Sequence, residues 1–378
     1  MRVLFVIKAT PTPEHSASTR YRVLNALPYL QDRGIEYELL PRSPSPSAGL
    51  AASLDRMAFA LRVLSHASRC DIVYIQRTLF PPACFDLLAS VTGDVVYDFD
   101  DALYAAPSWE GAVDETRKAT LNRTLEKASV VVAGSPVLEE YAARYADQTY
   151  CLTTSLPREE YERARAGKAG EDDGTGENER TTIGWIGYPA NLRYLAPIED
   201  AIAAVLDEYP NARLHVITGE ETPVDPLCGR EDVSYRTWTP DDELDFLGEI
   251  DVGIRPLPDD SWARGKGGYT SVVQMMALGI PVVVTPLSML AEIVTHGESG
   301  FHASTDAEWI EHVSTLVEDA DRRDSMGEAA FRTVGERGLW TESYAEGLFE
   351  VFRSIEDDRS ATRRERQPLA RLRELVQR

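Results

Sequence analysis

Short, largely apolar segments alternate with helical segments along most of the chain. The segments at 71–76 (DIVYIQ), 95–99 (VVYDF) and 129–133 (SVVVA) are separated by stretches with helical spacing. Strands that are apolar on both faces belong in a parallel sheet that helices cover on each side. The alternation therefore predicts an α/β fold.

The alternation is interrupted at residues 164–182, which are rich in Gly, Glu and Asp and contain no apolar residue larger than alanine. This composition is typical of a flexible loop between domains. A second series of strands follows at 182–186, 213–218, 233–238, 252–255 and 281–285. We predict two Rossmann-like domains facing across a cleft, with ligands beyond the carboxyl ends of the strands.

The predicted boundaries follow from this organisation, and 378 residues suffice for two cores. Residues 1–163 form the N-terminal domain and 164–182 a flexible acidic linker. Residues 183–340 form the C-terminal domain, and 341–378 a helix with a basic tail.

The composition of the chain excludes several classes of protein. The net charge of −23 argues against nucleic acid, because phosphate contacts need a basic surface. No run approaches the roughly 20 apolar residues of a membrane span, and the first apolar run is too short for a signal peptide. The four cysteines are too widely spaced for a disulfide framework or a zinc site. We expect a cytoplasmic protein.

Several common motifs are missing from the sequence. No G-x-G-x-x-G follows the first strand, and neither a P-loop nor a G-x-S-x-G elbow occurs. A nicotinamide, flavin or P-loop nucleotide site is therefore not expected.

The most informative stretch is SWARGKGGYTSVVQMMALGIPVVVT, at 261–285. Gly267 and Gly268 precede a predicted helix at 269–278, and a helix N-terminus attracts anions through its unpaired N–H groups and its dipole. Arg264 and Lys266 add positive charge; only five of the 39 basic residues are lysines, so Lys266 stands out. The pattern is typical of a phosphate site.

The helix after these glycines has two unlike sides. Its spacing places the polar Thr270, Ser271 and Gln274 on one side, while Val272, Val273, Met276 and Ala277 would pack on the sheet. A diphosphate at Tyr269 and Thr270, joined to a ribose near Gln274, fits this layout. An ordinary helix N-terminus with a solvated stripe fits it equally well.

Six segments together resemble the retaining family 4 (group 1) glycosyltransferases, in particular one bacterial branch. They are RPLPDDSWARGKGGYTSVVQMMALGIPVV, AEIVTHGESGF, STRYRVLNALPYL, DIVYIQR, VVYDFDDALY and VVVAGSPVLEEY, and they span about residues 1–350. The resemblance implies the two-domain GT-B fold, an acceptor-side N-terminal domain and a nucleotide sugar held mainly by the C-terminal domain. It implies no metal and no cofactor beyond the donor substrate.

The chain departs from the family pattern in two respects, which involve three positions. The family commonly has two glutamates eight residues apart, the first near the donor sugar and the second on the ribose, where this chain has Lys266 and Gln274. Many relatives have a lysine where this chain has Ser271. An amide can still hydrogen-bond a ribose hydroxyl, but without charge. The donor's identity stays open.

Asp100 and Asp101, in YDFDDALY, follow a strand that should end at the cleft. A carboxylate there can orient an acceptor hydroxyl or take its proton, and the alternative is that it caps the next helix. For Asp98 we expect the helix cap. The pattern also matches the D-x-D metal motif of a one-sheet glycosyltransferase fold, which the two α/β series disfavour.

Other candidates follow predicted strands. Arg20, Arg22 and Arg77 are expected on the acceptor side of the cleft. The alternative is that they are ordinary surface residues. Gly187, Tyr188 and Asn191 lie in the turn after the first strand of the C-terminal domain. We expect this turn to contact the diphosphate. Arg255 should point to the cleft, and Trp238 either borders the base or lies in the core.

The sequence thus predicts a metal-independent, retaining glycosyltransferase of cell-surface glycan synthesis. Asp100, Asp101, Lys266 and Arg264 are the predicted catalytic residues. The expected partners are a UDP- or GDP-linked sugar and a glycan or lipid-linked acceptor. A nucleotide-sugar epimerase and a non-catalytic binding partner on the same fold are the alternatives.

Residues 359–378 differ from the rest of the chain. They contain seven arginines and two glutamates, a side-chain charge of +5, and apolar residues recur at helical spacing after Pro368. A short amphipathic helix here would give peripheral contact with the inner face of the membrane. The alternative is that it folds back on the acidic body or stays disordered.

Overall fold

The computed structural model describes residues 1–8, 12, 15–42, 49–92, 94–107, 110–171, 180–219, 227, 229–267 and 269–376. Over these ranges the chain forms two α/β domains, each built on one parallel sheet. The predicted fold class is therefore confirmed.

The first domain is built on a parallel sheet with the strand order β2-β1-β3-β4-β5-β6. The strand bounds are β1 Arg2–Lys8, β2 Glu36–Arg42, β3 Ile72–Gln76, β4 Val95–Phe99, β5 Val130–Ala133 and β6 Thr149–Cys151. Strands β3 and β4 lie at the centre and are buried at every position, as expected for strands covered on both faces.

The second domain repeats this plan with the order β12-β11-β10-β7-β8-β9. Its strands are β7 Thr181–Ile186, β8 Ala212–Thr218, β9 Val233–Thr237, β10 Val252–Arg255, β11 Val282–Val284 and β12 Gly300–His302. All the strand pairs in both sheets are parallel. Each sheet therefore gathers its strand ends, and the loops that follow them, at one edge.

Helices cover both faces of each sheet. In the first half they are α1 Ala17–Arg22, α2 Leu27–Asp32, α3 Gly49–Ala67, α4 Pro82–Thr92, α5 Glu115–Lys127, α6 Pro136–Ala142 and α7 Arg158–Glu171. In the second half they are α8 Glu199–Glu208, α9 Glu243–Gly248, α10 Ser261–Arg264, α11 Thr270–Ala277, α12 Met289–Ile293, α13 Asp306–Glu318, α14 Ala320–Glu336 and α15 Thr341–Val376. Within the described ranges, none is both long and apolar enough to cross a membrane.

The predicted linker, 164–182, is largely regular structure where it is described. Helix α7 continues to Glu171, because its Ala, Arg, Lys and Glu residues are strong helix formers. It also packs on the second domain, where Ala164 contacts the core and the Lys168 ammonium donates to the carbonyl of Ile250. Strand β7 begins at Thr181, and residues 172–179 lie outside the described residues.

Helix α15 returns to the first domain. Its residues Tyr344, Leu348 and Phe352 are buried against Phe5 and Tyr74 of the first sheet. The short helix predicted after Pro368 is part of this longer helix, which runs to Val376. The first domain therefore includes the last helix of the chain as well as its N-terminal half.

Two residues with other predicted roles form a buried ion pair. Arg22, expected at the acceptor site, and Asp98, expected as a helix cap, are fully buried and paired with each other. The Arg22 Nε donates to Asp98 Oδ2 at 3.0 Å, and Nη1 donates to the carbonyl of Leu152 at 2.7 Å. Arg22 lies on the last turn of α1, and its side chain reaches Asp98 of β4 in the core rather than the cleft.

Removing one partner of this pair should cost much stability. We expect Asp98→Ala to lower the free energy of unfolding by about 3–5 kcal/mol, because Arg22 then stays buried without a counter-charge. Urea denaturation measures the change. The matched control is Glu140→Ala, which breaks an exposed pair with Arg144 and should cost only about 0.3–0.5 kcal/mol. Losses of equal size would contradict this account.

Candidate functional site

A cleft lies between the carboxyl edges of the two sheets, and residues from both domains line it. Most of the predicted site residues meet there: Arg77, Asp100, Asp101, Gly187, Tyr188, Asn191, Trp238, Arg255, Lys266, Gly267, Tyr269, Thr270 and Gln274. Other lining residues, which the sequence did not single out, include Ser18, Thr154 and Glu243. The site is therefore built by both domains.

Arg255 is the most unusual side chain of the cleft. It ends β10 and is only 6% exposed, and its Nη1 donates to the carbonyl of Ile186 at 3.2 Å. Its Nε is buried and has no hydrogen-bond partner among the described residues, and no carboxylate of these residues forms an ion pair with the guanidinium. Burial lowers its pKa. An unpaired buried cation is costly, so this site favours an anionic ligand.

Glycine at 187 makes room for the ring of Trp185, over which the Arg255 guanidinium lies. A Cβ there would lie 2.6 Å from the Trp185 ring and 3.4 Å from Arg255 Nη1. The next residue, Tyr188, accepts a hydrogen bond from the Ala17 amide at 3.2 Å and so links the turn to the first domain. The turn after β7 therefore shapes the cleft wall beside the cation.

Helix α11 begins at the cleft. Thr270 and Ser271, at its first turn, line the site, and their amides have no acceptor within the helix. Tyr269 adopts a left-handed conformation with φ of 41°, and its hydroxyl donates to the carbonyl of Ala263 at 2.8 Å. The predicted apolar side of the helix is buried, as the spacing indicated. This terminus adds an anion-attracting dipole near Arg255.

Gly267 has a different role from the predicted one. Its amide donates to the carbonyl of Asp100 at 2.8 Å, so it is not available to a phosphate. A Cβ on Gly267 would lie 2.9 Å from the Cα of Gly134, which belongs to the first domain. Glycine is needed here because two backbones touch between the domains. Gly268 lies outside the described residues.

Lys266 and Arg264 separate in the structure. Lys266 lines the cleft, and its ammonium lies 4.0 Å from Asp101 Oδ1. Burial lowers its pKa. Arg264, at the end of the short helix α10, is half exposed, pairs with Asp259 at 2.6 Å and is not among the described residues that line the cleft. Arg264 and Lys266 are two residues apart in the turn, so their side chains point in different directions.

The two predicted carboxylates of the first domain share Arg77. Its Nη2 lies 2.5 Å from Asp101 Oδ2 and its Nη1 lies 3.3 Å from Asp100 Oδ1. Burial raises the pKa of Asp100, but Arg77, Arg22 and the hydroxyl of Ser18 outweigh it and lower the pKa. Asp100 is therefore ionised and a weak proton acceptor. Among the described residues, no cluster of three or more His, Cys, Asp or Glu has the arrangement of a metal site.

Gln274 belongs to a buried polar network that crosses the domains. Its amide group donates to the hydroxyls of Tyr21 at 3.0 Å and Tyr161 at 2.9 Å. Since both amide hydrogens are used, only its carbonyl oxygen remains for a ligand hydroxyl. Tyr21 in turn donates to Glu243 at 2.8 Å.

Glu243 also fixes two predicted residues. It accepts from the indole of Trp238 at 2.9 Å and pairs with Arg20 at 2.5 Å. Arg20 thus joins the domains instead of lining the cleft, because this buried carboxylate takes its charge. Trp238 is half-buried and borders the cleft. No sequence signal distinguishes Glu243 among 62 acidic residues.

Comparisons with known proteins agree with this architecture. A family model described as "Glycosyl transferases group 1" matches residues 180–319. The Anabaena protein HepE, solved in complex with UDP and glucose, is 16% identical with a TM-score of 0.66, covering 94% of this chain and 100% of that chain. A search of curated protein sequences found no match.

Two further solved structures share the fold. Sucrose-phosphate synthase from Thermosynechococcus elongatus is 13% identical with a TM-score of 0.69, covering 95% of this chain and 100% of that chain. A glycosyltransferase from Rickettsia africae is 14% identical with a TM-score of 0.69, covering 94% and 98%. The chain therefore has the two-domain GT-B fold, and the family match supports a group 1 glycosyltransferase.

The lowered pKa of Lys266 gives the site a pH dependence. We expect the affinity for pyrophosphate to fall as pH rises towards 10, because Lys266 loses its charge below the ordinary value of 10.5. Isothermal titration calorimetry from pH 7 to 10 measures this. Lys266→Arg keeps its charge and should bind with much less pH dependence. Equal pH profiles for the two proteins would overturn the assignment of Lys266 to the anion site.

Proposed function

We propose that the protein is a glycosyltransferase that moves a sugar from a nucleotide diphosphate donor to a hydroxyl acceptor, with retention. The observation that carries the proposal is the buried Arg255 guanidinium, which has no carboxylate partner among the described residues and lies beside the start of α11. A diphosphate supplies the missing counter-charge. The family match over 180–319 covers this same region.

The reaction places negative charge where the site is positive. As the bond between the sugar and the diphosphate breaks, charge accumulates on the leaving phosphate oxygens. Arg255, Lys266 and the first turn of α11, with Thr270 and Ser271, line the cleft in which we propose that this charge develops. Such preorganised groups commonly supply the largest part of catalysis. Because these groups come from the protein, the proposal requires no metal.

The acceptor side is assigned to Asp101 and Asp100. The lowered pKa of Asp100 makes it a weak base, so it orients the loop while Asp101 accepts a hydrogen bond from the acceptor hydroxyl. One-step transfer with retention brings the acceptor in on the face from which the diphosphate leaves. The 4.0 Å separation of Asp101 and Lys266 supports that arrangement. The departing phosphate oxygen then takes the hydroxyl proton.

The donor is proposed to be UDP-linked, with a GDP-linked sugar as the alternative. HepE, which shares the fold, was solved with UDP and with UDP-glucose. The acceptor is proposed to be a glycan or a lipid-linked hydroxyl on the cytoplasmic side of the membrane, in cell-surface glycan synthesis. The basic residues 359–378 are the proposed membrane contact.

Two other functions fit the same fold. An epimerase interconverting nucleotide sugars needs acid–base groups on both walls of the cleft. On the second wall Glu243 is already bonded to Arg20, Tyr21 and Trp238, which makes it a poor candidate. A non-catalytic protein would bind the donor without turning it over.

One assay separates the three functions. The protein is incubated with labelled UDP- and GDP-sugars, with and without a panel of glycan and lipid-linked acceptors. We expect nucleotide release that depends on an acceptor. Interconversion of the sugar without an acceptor would identify an epimerase, and binding without turnover a non-catalytic partner.

The cationic groups give the sharpest test of the mechanism. We expect Lys266→Ala and Arg255→Ala each to lower kcat by about 10²–10³, the usual cost of losing one group that stabilises developing charge. Arg264→Ala is the matched control, because that arginine is exposed and paired with Asp259, and it should stay near wild type. Near-wild-type turnover in Arg255→Ala would contradict the mechanism.

A further inference from the structure

Two adjoining helices of the first domain, α3 and α4, expose apolar side chains. The residues are Leu54, Met57 and Leu61 of α3 and Leu87 and Val91 of α4, each between 48% and 63% exposed. We call these five residues the apolar face. Isolated exposed apolar residues are ordinary, but a contiguous patch marks an interaction site.

The spacing of the residues makes the face continuous. The α3 members recur at intervals of three and four residues, and the α4 members are four apart, so each set forms one stripe. The other exposed residues of the two stripes are small and uncharged: Ala58, Ser65, Ala83 and Ser90. Asp55 and Arg62 lie on the outer flank of α3, while Asp86 turns to α5, where Arg123 binds it.

The absence of charge on this face is unusual for this chain. Charged residues make up 27% of the sequence, and the net charge is −23. Most exposed surfaces of such a protein repel other anionic surfaces. The uncharged apolar face can therefore approach an anionic surface without this repulsion.

The basic tail leaves the domain beside the apolar face. Arg359 of α15 pairs with Asp94 and donates to the carbonyl of Asp71 at 2.6 Å. Asp94 lies two residues after the end of α4, and Asp71 lies four residues after the end of α3. Residues 359–378, with a side-chain charge of +5, thus begin next to the ends of the helices that form the face.

We propose that the apolar face and the basic tail together dock the protein on an anionic lipid bilayer. The face enters the boundary between headgroups and acyl chains, and the tail binds the anionic headgroups. This pairing of an apolar and a basic element satisfies the need for two signals in stable membrane attachment. The proposal does not depend on the transferase reaction.

The basic tail favours a bilayer over a second copy as the occupant of the face. An anionic bilayer and a second copy both repel the acidic body, whose net charge is −23, but a bilayer presents anionic headgroups to the +5 tail and an apolar layer to the face. Anionic lipid matches both elements at once.

Co-sedimentation with phosphatidylglycerol vesicles, without any sugar substrate, tests the proposal on the full chain. The key variant is Leu61→Glu/Val91→Glu, which puts one charge on each helix at exposed positions. We expect it to bind at least tenfold more weakly than wild type, or about 1.4 kcal/mol. The control, Ala204→Glu/Ser325→Glu, places the same charges at exposed positions of the second domain. Its affinity for the vesicles should fall much less. Unchanged thermal unfolding shows that both variants are folded.

A chain ending at Asp358 tests the tail. It should bind phosphatidylglycerol vesicles more weakly than the full chain and should lose most of the salt dependence. Phosphatidylcholine vesicles should pellet little of either protein. The proposal fails if wild type does not pellet with phosphatidylglycerol, if the face variant binds as its control does, or if truncation strengthens binding. It also fails if light scattering shows a wild-type dimer that the face variant dissociates.

Discussion

The buried pair of Arg22 and Asp98 holds together the parts of the first domain that form the cleft. Asp98 lies near the end of β4, immediately before the loop that carries Asp100 and Asp101. Arg22 fixes this strand end to α1, the helix that supplies Ser18 and Tyr21, and also binds the carbonyl of Leu152 after β6. Because both charges are fully buried, neither can leave without a large loss of stability. The geometry of this wall of the cleft therefore depends on an ion pair that lies in the core rather than in the cleft.

The two walls of the cleft meet through backbone as well as side chains. The amide of Gly267 donates to the carbonyl of Asp100, and the neighbouring Gly134 leaves no space for a Cβ between them. This contact sets the separation of Lys266 from Asp101, because Lys266 directly precedes Gly267 and Asp101 directly follows Asp100. A larger residue at 267 would push the loop that carries Lys266 away from the carboxylates. The glycines predicted as phosphate ligands thus include at least one whose role is to let two domains touch.

The sequence predicted the fold and most of the residues around the cleft, because both depend on local patterns. A residue that ends a buried parallel strand must lie at the carboxyl edge, so Arg255 and the aspartates after β4 were placed correctly. Arg22 and Arg264 were misplaced, because their positions depend on which carboxylate a side chain meets in three dimensions. Glu243 and Tyr161 were missed for the same reason, since neither their type nor their spacing differs from that of ordinary surface or core residues.

The network around Gln274 explains how an amide can serve where a charged group would be expected from the family pattern. An amide at the wall of a cleft can rotate, presenting either its oxygen or its nitrogen to a ligand. Here the hydroxyls of Tyr21 and Tyr161 accept both amide hydrogens, which leaves the oxygen as the group that faces the site. Tyr21 belongs to the first domain and Gln274 to the second, so contact between the domains contributes to the orientation of the amide. The direction in which the Gln274 oxygen points is therefore set by residues from both halves of the chain.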